Sequence, residues 1–225
     1  MRKILFSVIA LLALLLAAEV GITLLSQHGM ERALRAQYEL PSNLEVNINS
    51  FPYLVSLTRN HLGELQLTWE GELDYALQEG SLESVPYACR VNLYDVELNM
   101  PSLLTGKLEI RDISRLKAAI SLDMGSLNEA LGGTDGGFFI EDDKIFALVA
   151  GQKTQYRVKV TGEYTMSIEP DTSSTTTAGS GLNTDARVKT VDIVGLPMES
   201  TLYTASIEGD RVVLEISIPM WEGYL

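Results

Sequence analysis

The chain is short of the residues that most often carry chemistry. It has one cysteine, Cys89, and two histidines, His28 and His61. A single thiol excludes an internal disulfide framework and any CxxC metal or redox pair. Cys89 sits in the alternating run VPYACRVNL, where a thiol behaves as a small buried hydrophobe. It is also far from the apolar N-terminus, which excludes a lipidated cysteine at a cleavage point. The HExxH, GxSxG and P-loop motifs are missing, as is a GxGxxG with its acidic partner. Positive charge is scarce as well. Lys and Arg number 17 against 30 Asp and Glu, a formal net charge of −13. Nucleic-acid binding needs a basic footprint, and adsorption to anionic headgroups needs a basic surface, so both are disfavoured. Glu141-Asp142-Asp143 is acidic but occupies an expected hairpin tip and lacks the spaced oxygen ligands of a calcium loop. The expectation is a protein with no catalytic residues, no metal and no cofactor.

What is present is apolar. Hydrophobic residues make up 46% of the 225, enough to build a core. Arg2 and Lys3 precede ILFSVIALLALLLAA, after which Glu19 interrupts and VGITLL resumes. The first run alone fits a secretory h-region, with Leu16-Ala17-Ala18 ahead of a cleavage point. Taken through Leu25, the segment is long enough to cross about 30 Å of hydrocarbon, with Glu19 toward the far interface. The division expected is a signal anchor or signal peptide over 1–26 and an extracytoplasmic domain over 27–225. Either reading leaves the positive charges inside and the domain outside, anchored in the cell membrane or, if the segment is cleaved, secreted.

Residues 28–40 place Met30, Ala33, Leu34 and Tyr38 at helical spacing, ended by Pro41. From Leu44 the period becomes two, with Val46 and Ile48 on one face. SFPYLVSLTRNHLG then carries Leu54, Leu57 and His61 or Leu62 at helical spacing, with Pro52 fitted to a first turn and Gly63 closing the helix. In GELQLTWEGELDYALQ, the residues Leu65, Leu67, Trp69, Gly71, Leu73, Tyr75 and Leu77 share one parity, opposite an acidic stripe. One strand over 65–77 would run about 40 Å, twice the usual length, so Gly71 is a candidate bend or hairpin start.

Residues 85–100 alternate with a slip of one between Leu93 and Tyr94, the mark of a β-bulge. PSLLTGK reads as a short helix or turn. Leu108, Ile110, Leu116, Ala118, Ile120 and Leu122 resume the alternation. GSLNEALGG fits a helix with Ser126 and Glu129 as its capping box and Gly132 as its stop. Past TDGG (134–137), further strands follow, including a hairpin turning at Glu141–Lys144 and a last pair joined across Glu208-Gly209-Asp210. DTSSTTTAGSG (171–181) has no period and reads as a flexible loop. The fold class expected is α+β and β-dominated, with antiparallel strands and helices too few and short to cover every apolar face.

The order of these elements resembles a known family. An apolar segment ending in an acidic residue leads to an amphipathic helix, a strand and FPYL (51–54). Then come LGELQLTWEGEL, LLTG (103–106), SLNEAL (126–131) and GLPM (195–198) before a terminal hairpin. Across about Ala18 to Ile218 the chain resembles the LmeA-like phospholipid-binding family of bacterial envelope proteins. FPYL departs from the common pattern by a tyrosine in place of the second phenylalanine, and the Thr/Ser loop is carried over to nothing. The resemblance implies a membrane-associated domain that binds phospholipid and supports envelope lipid or glycolipid assembly. It also implies an elongated, curved antiparallel sheet wrapped on a few helices, like tubular lipid-binding proteins.

The excess of apolar strand surface over helical cover points independently to a site for acyl chains. Leu65, Leu67, Trp69, Leu73 and Tyr75 are the candidate lining, and Phe51, Tyr53 and Leu54 the candidate mouth; a dry core is the competing reading of the same residues. The alternative function is a membrane-anchored scaffold for another envelope protein, using the acidic strand face or the C-terminal IPMWEGYL, with Trp221 and Tyr224 as its patch.

Overall fold

The computed structural model describes residues 2–77, 82–104, 107–130, 137–149, 151–171 and 188–224. TDGG up to Asp135 and Gly136, Gly132, the end of LLTG and nearly all of the Thr/Ser loop lie outside them.

The elements are mostly strands, as the period-two runs require. Helix α1 (Arg2–Tyr38) is unbroken and, by length and composition, long and apolar enough to cross a membrane. It is followed by β1 (Glu45–Ile48), α2 (Tyr53–Arg59), β2 (His61–Leu77), β3 (Leu82–Leu98) and α3 (Met100–Leu104). Next are β4 (Ile110–Asp123), α4 (Met124–Ala130), β5 (Phe138–Glu141), β6 (Lys144–Val149), β7 (Gln152–Val160), β8 (Thr165–Pro170) and β9 (Lys189–Val194). A 3-10 turn at Pro197–Glu199, β10 (Thr201–Glu208), β11 (Arg211–Ser217) and α5 (Pro219–Glu222) close the chain. The strands form an 11-stranded antiparallel sheet in the order β10-β11-β4-β3-β2-β9-β8-β7-β6-β5, with β1 added to β2.

Several local expectations are corrected. α2 ends at Asn60, which takes the left-handed conformation (φ 55°) that closes a helix, and not at Gly63. His61 and Leu62 therefore open β2. β2 passes Gly71 without a break. That glycine makes room instead: a Cβ there would lie 2.8 Å from the Tyr87 ring. The phase slip in β3 falls just after Leu93 as expected, with Asp95 at a φ of 52°, Leu93 buried before it and Val96 and Leu98 buried after. In β4, Ile113 is fully buried and Leu116 only half-buried, so regular alternation begins later than expected. The cap of α4 is Asp123, whose carboxylate accepts from the Ser126 N–H at 2.9 Å and its hydroxyl at 3.2 Å. The hairpin tip falls as expected, with Asp142 and Asp143 both at positive φ between the paired Glu141 and Lys144.

The chain divides into two compact units. The first comprises Met1–Trp69, Val91–Leu116 and Trp221–Leu225. Its core joins Met30, Ala33 and Leu34 of α1 to Leu44, Val46, Ile48, Leu62, Leu65, Leu67, Val91 and Leu93. α1 packs on β1, and the Arg35 guanidinium donates to the Leu44 carbonyl at 2.7 Å. Trp221 is fully buried here, edge-on to Tyr38 at 5.6 Å. It is therefore core and not an exposed interaction patch; the Tyr224 carbonyl accepts from the Ile113 N–H at 2.9 Å.

The second unit comprises Glu70–Arg90 and Lys117–Met220. Its apolar rows, buried or half-buried, follow the register. Leu122, Ile120 and Ala118 of β4 lie opposite Val212, Leu214 and Ile216 of β11, which lie opposite Ile207, Ala205 and Leu202 of β10. On the other side, Tyr75 pairs with Ile193, Val191 with Met166, and Ile168 with Val158. β10 also packs on β7, the eighth strand of the same order with β10 as the first. The Leu202 N–H donates to the Glu163 carbonyl between β7 and β8 at 2.7 Å. Within this unit the sheet curls back on itself.

Candidate functional site

The eight candidate residues fall into three settings. Leu65, Leu67 and Trp69 belong to the first unit and are buried. Leu65 and Leu67 sit opposite Ile48 and Val46 of β1, the strand on which α1 packs. Alternation and β-branched partners hold these side chains on one face, and a long helix is available to cover that part of the sheet.

Phe51, Tyr53 and Leu54 lie at the start of α2, also in the first unit, but differ from one another. Phe51 is 79% exposed, Tyr53 is buried and Leu54 is half-buried. What fixes this turn is Glu19 of α1. Its side chain is only 8% exposed, and it accepts from the backbone N–H of Tyr53 and, at 3.1 Å, from that of Leu54. The first N–H groups of a helix have no partner of their own, so a carboxylate there satisfies orphan donors and complements the helix dipole. On the other side, the Ser50 hydroxyl accepts from Gly63 N–H at 2.7 Å and ties the turn to the start of β2.

Leu73 and Tyr75 belong to the second unit, on the apolar face of its curled sheet. Among the described residues, α4 is the one α-helix wholly inside this unit. An eight-stranded curl leaves an interior that side chains just fill or that holds one small ligand. Cys89 is buried in this unit too, and burial pushes its thiol well above the usual range, so it is a neutral packing group. Tyr156 is raised by the same desolvation.

The sequence-derived candidates lie on the first long stripe and its flanking turn, and two features of the structure fall outside them. One is Glu19, visible as an acid in an apolar run but without a visible partner. The other is the equivalent apolar face of β8, β9, β10 and β11, with Ile168, Ile193, Leu202 and Leu214. Their alternation is legible, but short alternating strands say nothing about which faces meet.

A β-dominated domain with a curled antiparallel sheet behind an apolar N-terminal helix is the class defined by this geometry. The model of the LmeA-like phospholipid-binding family matches residues 17–217, and the chain belongs to that family. The match takes in Glu19, the FPYL turn and every strand from β1 to β11. No curated protein and no solved structure matches the chain. Membership supports phospholipid binding.

Proposed function

We propose that the protein is a non-catalytic phospholipid-binding protein of the cell envelope. α1 holds it in the membrane with the domain on the extracytoplasmic side, and acyl chains are received against the apolar inner face of the second unit, to which Leu73 and Tyr75 contribute. Lipid held in this way would be carried toward envelope lipid or glycolipid assembly. The observation that carries the reading is the extent of that face: rows of Val, Ile and Leu from β10 round to β7, with, among the described residues, a single seven-residue α-helix wholly inside the same unit. Each CH₂ removed from water is worth about 0.8 kcal/mol, so one long acyl chain can contribute on the order of 10 kcal/mol before ordering costs. In the first unit, Leu65, Leu67 and Trp69, of the same parity in β2, are the further apolar contacts of this proposal, and Phe51, Tyr53 and Leu54 stand at the membrane end of that unit.

The test is photocrosslinking of the full chain in liposomes containing a phosphatidylcholine with a diazirine on its acyl chain. Crosslinks on β4, β8, β9 and β11, besides those on α1, are the expected result. In Ala118→Trp, which adds bulk opposite Ile216, these crosslinks should fall while the unfolding temperature holds. Crosslinks confined to α1, with Ala118→Trp destabilised by overpacking, would mean a dry interior.

A further inference from the structure

The contact between Glu19 and α2 fixes how deep the first unit sits. This step rests on the reading of α1 as a membrane span. The exposed face of α1 is apolar from Phe6 through Leu16, Val20, Leu24 and Leu25, and turns polar at His28 and Arg32. Roughly 20 residues at ~1.5 Å each cover the ~30 Å of hydrocarbon, so the apolar belt ends at Leu25. Glu19 lies six positions earlier, about 9 Å inside that boundary. The start of α2 is bonded to it and must share its level.

The chemistry of the FPYL segment independently suits that level. From Ser50 to Thr58 no residue is charged. Phe51 and Val55 are exposed. The two hydroxyls in the body of α2 turn onto their own helix: Thr58 Oγ1 donates to the Val55 carbonyl at 2.8 Å and Ser56 Oγ to the Pro52 carbonyl at 3.4 Å. Thr23 of α1 does the same to the Glu19 carbonyl at 2.8 Å. Polar groups satisfied within their own helix are what a site without water demands. The acid itself is shielded by α2 and carries two N–H donors, which makes a carboxylate tolerable at that depth.

We infer that α2 and the FPYL turn are inserted in the outer leaflet of a phospholipid bilayer, with Phe51 and Val55 facing acyl chains at the level of Val20–Leu25, so that the domain is seated on the membrane through this surface. The occupant is lipid and not a protein groove, because the surface continues the exposed apolar face of the anchor.

Phe51→Trp and Leu14→Trp variants of the full chain, reconstituted in phosphatidylcholine liposomes with bromine at either shallow or deep acyl positions, provide the test. The native Trp69 and Trp221 are buried and give the baseline. The expected result is a blue-shifted emission from position 51 that the shallow bromines quench, with position 14 quenched by deeper bromines. If position 14 is quenched while position 51 emits as in water and is untouched, the seating is wrong and the anchor stands. If neither is quenched, the span reading fails and the inference with it.

Discussion

At the scale of the residue, Glu19 joins elements far apart in the chain. Its oxygens serve amides 34 and 35 positions later, and it replaces the missing intrahelical acceptors at the start of α2. Removing it leaves buried N–H groups without a partner, which is more damaging than the loss of a surface ion pair. Glu19→Ala should therefore destabilise the first unit by about 2 kcal/mol, and Glu19→Gln by less, because one carbonyl oxygen remains to accept. Hydrogen exchange is the direct measurement. The amides of Tyr53 and Leu54 should lose protection in Glu19→Ala while those of β7 and β8 do not. Equal loss in both regions would show a global effect and not a pinned turn.

At the scale of the element, β2 shows what a glycine in a strand can be for. Gly71 lies on the apolar parity between Trp69 and Leu73, where a side chain would be expected. The Tyr87 ring from β3 occupies that space instead, closest at its Cε1, Cζ and hydroxyl. Gly71→Ala forces the ring aside and should cost about 1 kcal/mol, a modest figure because the far end of a half-buried tyrosine can move. Repeating the substitution in a Tyr87→Leu background should largely abolish that cost, and denaturant unfolding of the double-mutant cycle gives the coupling. If the penalty is the same in both backgrounds, backbone propensity and not ring contact is responsible.

The same strand shows where legibility ends. Alternation placed β1, β2 and the β5–β6 tip because those features depend on side-chain parity and turn residues a few positions apart. It misjudged Gly71, the end of α2 and the cap of α4, since each was decided by a neighbour: the Tyr87 ring, the left-handed Asn60 and the Asp123 carboxylate. The burial of Trp221 against Tyr38 joins residues near opposite ends of the chain, and no local pattern in IPMWEGYL separates a core tryptophan from an exposed one. Of the candidate site, the apolar face of β2 was legible. Its separate settings at Leu65 and at Leu73 were not, because they are distinguished by which elements pack nearby.

At the scale of the whole molecule, the net charge of −13 must be reconciled with a lipid ligand. An acidic protein is repelled by anionic bilayers, so headgroup attraction is not what brings lipid to it. On the reading proposed above, the apolar face of the curled sheet and the uncharged FPYL segment would offer affinity that does not depend on charge. Repulsion between exposed charges is screened over about 8 Å at physiological ionic strength and over about 30 Å at 0.01 M salt. Uptake of a fluorescent phospholipid by the full chain in nanodiscs should then show opposite behaviour with two kinds of donor vesicle. From phosphatidylglycerol-rich vesicles the initial rate should rise several-fold as salt increases from low to physiological, because encounter is the charge-sensitive step. From phosphatidylcholine vesicles it should barely change. Rates from anionic vesicles that fall with salt would reveal a local basic entry point that the net charge conceals.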